Sequence, residues 1–136
     1  MNKPYLLGVK MVQLAKRRKD LTHEQFKSYW LTEHNRKIEQ RLVNMGRRRK
    51  IVASFAEGIL SPEGLVPGRE PPFDGMLEMF YENDTLEDIK ATFGDPEFPP
   101  FLAELYEDEE NFVDPEPRDS ILIEHYVMAE RKQGKR

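Results

Sequence analysis

His34 stands on an apolar helical stripe. At roughly 100° per residue, Phe26, Trp30, His34 and Ile38 fall on one face of a single helix. An imidazole titrates near neutrality when unperturbed, so in this place it can give or take a proton. Burying it costs free energy unless its nitrogens find partners. Two readings are open at this level: an acid-base group, or a core-edge histidine bonded to a backbone carbonyl.

Asp74 and Glu78 lie on the same face of a strand as Met76 and Phe80. Four residues of strand separate them by about 13 Å, which excludes a carboxylate dyad. Either one orients His34 or acts as a base, or Asp74 caps the loop at the strand start and Glu78 pairs with a basic residue. His125, among Ile121, Ile123 and Val127, is a second acid-base candidate or an interface residue. Its neighbour Glu124 points to the opposite face with Tyr126. His23, at the first helical position, is expected to be exposed.

A two-histidine, one-carboxylate metal set drawn from His34, Asp74, Glu78 and His125 lacks any HxD, HxxE or His-rich spacing to support it, so no metal is expected. Absence of cysteine removes thiol nucleophiles, thiolate zinc sites and iron-sulfur clusters. No GxGxxG, GxxxxGK[ST] or GxSxG pattern occurs, so neither a nucleotide cofactor nor a serine triad is expected, and the cofactor expectation is none.

The elements that must position these residues follow from the patterning. Alternation predicts strands over Leu6 to Ala15, Lys50 to Gly58, Phe73 to Tyr81 and Ser120 to Met128. Thr22 as N-cap, Gln25 completing a capping box, and Leu21 stapled to Phe26 open a helix that runs to about Gly46, with a kink expected after His34. Asp84-Thr85-Leu86-Glu87 opens a short helix to about Gly94. After Asp95-Pro96, Pro99-Pro100 begins another, with Phe101, Leu102 and Leu105 as its apolar face before the acidic run Glu107 to Glu110. Between Ser61 and Pro72 lie four prolines and two glycines, a composition expected to give an irregular surface loop or lid rather than a ladder. Residues 129–136 are expected to fray.

The order is β-α-β-β-α-β in one domain spanning 1–136: the α+β, ferredoxin-like plan, an antiparallel sheet with helices on one face. Strands apolar on both faces imply that a second copy covers the bare side, so a homodimer is expected. Residues 1–50 hold 14 Lys/Arg against 4 Asp/Glu, and residues 51–118 hold 3 against 18, so basic and acidic segments can complement each other. The runs Lys16-Arg17-Arg18-Lys19 and Arg47-Arg48-Arg49-Lys50 lack interleaved aromatics and any nucleic-acid motif. They read as strand ends paired with acidic segments, and no nucleic-acid partner is expected. Lys10 breaks the only apolar stretch near the start and mean hydropathy is -0.73. No membrane span or signal peptide is therefore expected, and cytoplasmic residence is the expectation.

With these elements in place the chain resembles the EthD family of dimeric α+β barrel proteins. The resemblance is carried by Arg17-Arg18, Leu21-Thr22, Phe26, Tyr29-Trp30 and His34; by Phe73-Asp74-Gly75 with Glu78; and by Asp95-Pro96, Asp108-Glu109, Phe112, Asp114 and Glu124-His125. One departure is clear: family members usually follow the helix histidine with a small residue and proline, and here the continuation is Asn35-Arg36. The resemblance implies a small, cofactor-independent protein whose chemistry varies between members. It favours His34 as a site residue. The resulting expectation is acid-base chemistry, giving decarboxylation, dehydration or isomerisation, on a small cyclic or aromatic carbonyl substrate. His34 would act as acid-base and Asp74 or Glu78 would position it. Tyr29, Trp30, Phe80, His125 and Tyr126 would line the substrate site. The alternatives are a cofactor-free monooxygenase or other oxidoreductase, and a non-catalytic protein that binds a small molecule.

Overall fold

A computed structural model describes residues 3–115 and 119–131. Strands β1 (Tyr5–Ala15), β2 (Arg48–Phe55), β5 (Gly75–Tyr81) and β6 (Ser120–Val127) form one antiparallel sheet in the order β2-β5-β1-β6. This is the ferredoxin-like arrangement, with the two long connections carrying the helices. β6 ends at Val127, and Ala129 to Arg131 carry no regular structure; the remainder of the tail expected to fray lies outside the described residues. Among the described residues no helix is long and apolar enough to cross a membrane.

Strand alternation divides the sheet cleanly. Ala15, Leu77, Met79 and Tyr81 join the core beneath the helices, with Val9, Met11, Ile51, Ala53 and Phe55 packed against them. Val12, Leu14, Glu78, Phe80, Ile121, Ile123 and His125 take the other face.

Thr22 caps helix α1 (His23–Tyr29), and the Thr22–Gln25 capping box forms as the sequence predicts. The continuation differs from expectation. In place of a kink after His34, the backbone widens into a π-helical run, Trp30–Glu39, before a last α-helical turn, α2 (Gln40–Leu42). The Asn35-Arg36 departure lies inside this run, where the Asn35 carbonyl accepts from the Gln40 N–H. A proline at position 36 would have no N–H to donate to such a ladder. Phe26, Trp30, His34 and Ile38 are all buried, so the stripe survives the widening.

Helix α3 (Leu86–Phe93) begins from Thr85 with Asp88 closing the box, one residue later than an Asp84–Glu87 frame. Helix α4 (Phe98–Glu109) carries Pro99 and Pro100 in its first turn, where missing N–H groups cost nothing. The Pro/Gly segment is not wholly irregular: β3 (Leu60–Ser61) and β4 (Gly64–Leu65) pair as a short hairpin, because Gly64 adopts a positive φ of 114° and Ser61 Oγ donates to its carbonyl. Basic strand ends do meet acidic partners, as Arg47 with Asp88 at 2.9 Å and Arg49 with Asp84 at 3.4 Å.

Candidate active site

The imidazole of His34 is 3% exposed, and its Nδ1 lies 2.8 Å from Asp108 Oδ2. Asp108 comes from α4, where it follows Phe101 and Leu105 on the buried face, with buried Phe112 in the turn just after the helix; the carboxylate therefore occupies a core position. Its other oxygen accepts from the Tyr29 hydroxyl at 2.8 Å, Asn111 Nδ2 at 3.2 Å and Lys37 Nζ at 3.4 Å. Burial pushes the His34 pKa below the ordinary imidazole value, and Asp108 offsets only part of that. For Asp108 burial acts to raise the pKa, but hydrogen bonds from His34, Tyr29 and Lys37 outweigh it and hold the carboxyl below the usual range. Both shifts describe one state: a neutral imidazole donating Nδ1–H to a carboxylate, with Nε2 left as the proton acceptor. The Tyr29 hydroxyl is pushed up by burial and by Asp108, and so keeps its proton.

Aromatic rings enclose the imidazole: Phe112 at 4.8 Å and Trp30 edge-on at 6.4 Å between ring centres. Gly75 admits Trp30, since a Cβ there would stand 2.7 Å from its ring. A cavity of about 10 Å³ lies between His34, Gln13, Ala15 and Leu77, on the order of one water molecule. On the far side, Trp30 Nε1 donates to Glu39 Oε2 at 2.7 Å.

The sheet separates residues that the sequence reading had grouped. Glu78 does not reach His34; it pairs with Lys10 on the opposite face. Phe80 is there too, stacked on His125 at 5.7 Å between ring centres, with Lys50 over it at 4.8 Å. Tyr126 is half exposed on the edge strand β6. Tyr29 and Trp30 alone of the expected lining residues stand beside His34. Asp74 is held at the sheet end, where its Oδ2 accepts from the Arg17 backbone N–H at 2.9 Å and its Oδ1 lies 3.2 Å from His23 Nδ1. The expected positioning role of Asp74 or Glu78 is thus corrected by geometry: Asp108 is the carboxylate on His34. The metal set weighed from sequence is likewise dispersed. The one three-ligand cluster among the described residues is His23, Glu70 and Asp74, and the Arg17 guanidinium already stands 3.6 to 3.7 Å from both carboxylates.

Asp108 and Glu39 were missed as site residues. Asp108 left a signal, because a carboxylate seven residues after Phe101 and three after Leu105 falls on the buried stripe. Glu39 left none at α-helical period.

Comparison with known proteins agrees with this architecture. The EthD domain matches residues 18–116. A dimeric protein of unknown function with a ferredoxin-like fold from Bacteroides fragilis is 20% identical, with 89% of this chain and 100% of that one covered at a TM-score of 0.54. The At3g17210 protein from Arabidopsis thaliana is 14% identical, with coverage of 91% and 99% and a TM-score of 0.51. No curated protein matches the chain in sequence.

Proposed function

The chain belongs to the EthD family, and from that premise we propose that it is a cofactor-independent enzyme moving protons on a small cyclic or aromatic carbonyl compound, with decarboxylation, dehydration or isomerisation as the outcome. The observation that carries this reading is the buried His34–Asp108 pair at 2.8 Å. A carboxylate fixes the imidazole tautomer and steadies the imidazolium formed when Nε2 takes a proton, which is what a general base needs. Tyr29 and Trp30 supply the adjoining walls. Asp74, Glu78, Phe80, His125 and Tyr126 have no part in this machinery.

A non-catalytic binding protein is the second reading, favoured by the narrowness of the cavity beside His34. Turnover of cyclic and aromatic keto acids, followed for wild type and His34→Gln, separates the two. Glutamine keeps polarity and approximate size but exchanges no proton. A loss of roughly 100-fold or more is expected for an acid-base group. Near-normal turnover in the variant would overturn His34 as the base.

A homodimer is part of the same proposal. Leu14 and Ile121 are 39% and 49% exposed on the open sheet face, and His125 Nε2 is buried there without a hydrogen-bond partner. The Bacteroides fragilis neighbour, described as dimeric, supports this pairing.

A further inference from the structure

Arg48 is the arginine of its basic run that pairs with no carboxylate among the described residues. Arg47 and Arg49 on either side pair with Asp88 and Asp84, whereas Arg48 turns inward, 7% exposed, with no Asp or Glu within 4.0 Å among the described residues. Its guanidinium has no carboxylate in contact: Nε donates to Met79 Sδ at 3.4 Å and Nη1 to the Met45 carbonyl at 3.3 Å, the Tyr81 hydroxyl is a further neutral partner, and Asp95 attracts it only from beyond salt-bridge distance. It lies over the rings of Phe98 at 5.3 Å and Tyr81 at 5.7 Å. Burying a cation costs several kcal/mol unless a counter-charge and good acceptors compensate it. Beside this cation is a cavity of about 290 Å³ between the sheet and α4, lined by Met11, Met79, Phe98, Leu102 and Leu105, with Gln13 and Ser120 as polar points. Asp119 stands on its rim, exposed and beyond salt-bridge distance of Arg48. Gln13 also lines the small cavity of His34, so the two spaces adjoin along β1.

We propose that this cavity is a binding site for a small apolar organic anion, a carboxylate or an ionised phenol or enol, whose charged group is held by Arg48 and whose ring lies among Met11, Met79, Phe98 and Leu105. A planar guanidinium whose present acceptors are neutral can exchange them for a carboxylate held bidentately, and such charge-assisted bonds are about twice as strong as neutral ones. Methionine and aromatic walls suit a flat hydrophobic body. The inference goes beyond the acid-base reading, because it concerns binding and holds whether or not His34 turns the ligand over.

The test is calorimetric titration of the full chain with 2-naphthoate and with its uncharged counterpart 2-naphthamide, together with methyl NMR of the methionines. Naphthoate is expected to bind at least about tenfold more tightly than the amide, shifting the Met11 and Met79 methyl resonances. Arg48→Met, which keeps length and apolar packing, is expected to lose that tenfold preference for naphthoate over the amide, and Asp119→Asn is expected to strengthen naphthoate binding. Equal affinity for both probes, no binding of either, or perturbation of other methionines instead of Met11 and Met79 would overturn the proposal in the unaltered protein, independently of how well Arg48→Met folds. Unchanged naphthoate affinity in a folded Arg48→Met would do the same. His34→Gln is expected to bind naphthoate as wild type does, which keeps this result separate from the turnover test.

Discussion

Trp30 donates its indole N–H to Glu39, nine residues further along the same helix, at 2.7 Å. In an α-helix nine residues are about 2.5 turns, which sets the two side chains on opposite faces. Bonding from i to i+5 winds roughly 4.4 residues per turn, so nine residues close just over two whole turns and Glu39 comes under Trp30. The π-helical run is what makes this contact, and it places a carboxylate in a buried position.

Burial pushes the Glu39 carboxyl from its usual 4.5 up to about 7, with the Trp30 hydrogen bond opposing only in part. The folded pKa lies above the unfolded one. Its contribution to stability is therefore complete below about pH 4.5 and is lost as pH rises through 7. Glu39→Gln stays neutral and keeps an oxygen for the indole. At pH 8 it is expected to be more stable than wild type by about 3 kcal/mol, and at pH 4.5 nearly equal to it. Thermal melts across that range check this; parallel profiles for the two proteins would contradict it.

The fold was readable because its signals are local and redundant. The Thr22–Gln25 box, the paired prolines of α4 and the alternation in β5 each mark an element whatever lies around it. The site was readable only in part. The buried stripe through His34 shows at helical period, but which carboxylate meets it depends on which face of the sheet each strand residue takes and on how α4 docks. Glu78 and Phe80 looked available to His34 because alternation assigns residues to a face without saying which face the helix covers. The π winding has no period-based signature in eight or ten residues, so Glu39 could not be found that way.

Gly75 is expected to be intolerant of a side chain for reasons of space. An added Cβ would meet Trp30 at 2.7 Å and Phe26 at 3.2 Å, and both rings are fixed in the core. Overpacking of this kind costs about 1 to 3 kcal/mol. Gly75→Ala should lower the urea midpoint accordingly; an unchanged midpoint would mean that the rings shift freely.

The open sheet face should close in a dimer. Sedimentation equilibrium at micromolar concentration is expected to give twice the 16.0 kDa chain mass. Ile121→Glu, a charge placed on that face, should shift the protein towards monomer. A wild-type monomer at these concentrations removes the dimer from the proposal.

The last prediction concerns the pair on which the proposed chemistry rests. His34 is held neutral by burial, and Asp108 is the main group raising its pKa against that. Asp108→Asn removes the raising influence, so the His34 midpoint, already below the ordinary imidazole value, should fall further. The chain has three histidines, which makes the titration separable by NMR without any substrate. Because the folded pKa is depressed, the stability linked to His34 is present above the unfolded value of about 6.5 and is lost as pH falls below it. The variant should lose more stability on acidification than wild type, beyond a cost of about 1 to 3 kcal/mol for the broken buried hydrogen bonds. In any reaction that needs neutral His34 as base, the acidic limb of the rate profile should move to lower pH in Asp108→Asn while the plateau falls, since an amide no longer steadies the imidazolium. A His34 midpoint that stays put in this variant would mean that Asp108 does not govern the imidazole, and the His34–Asp108 pair would then be a structural contact between two helices.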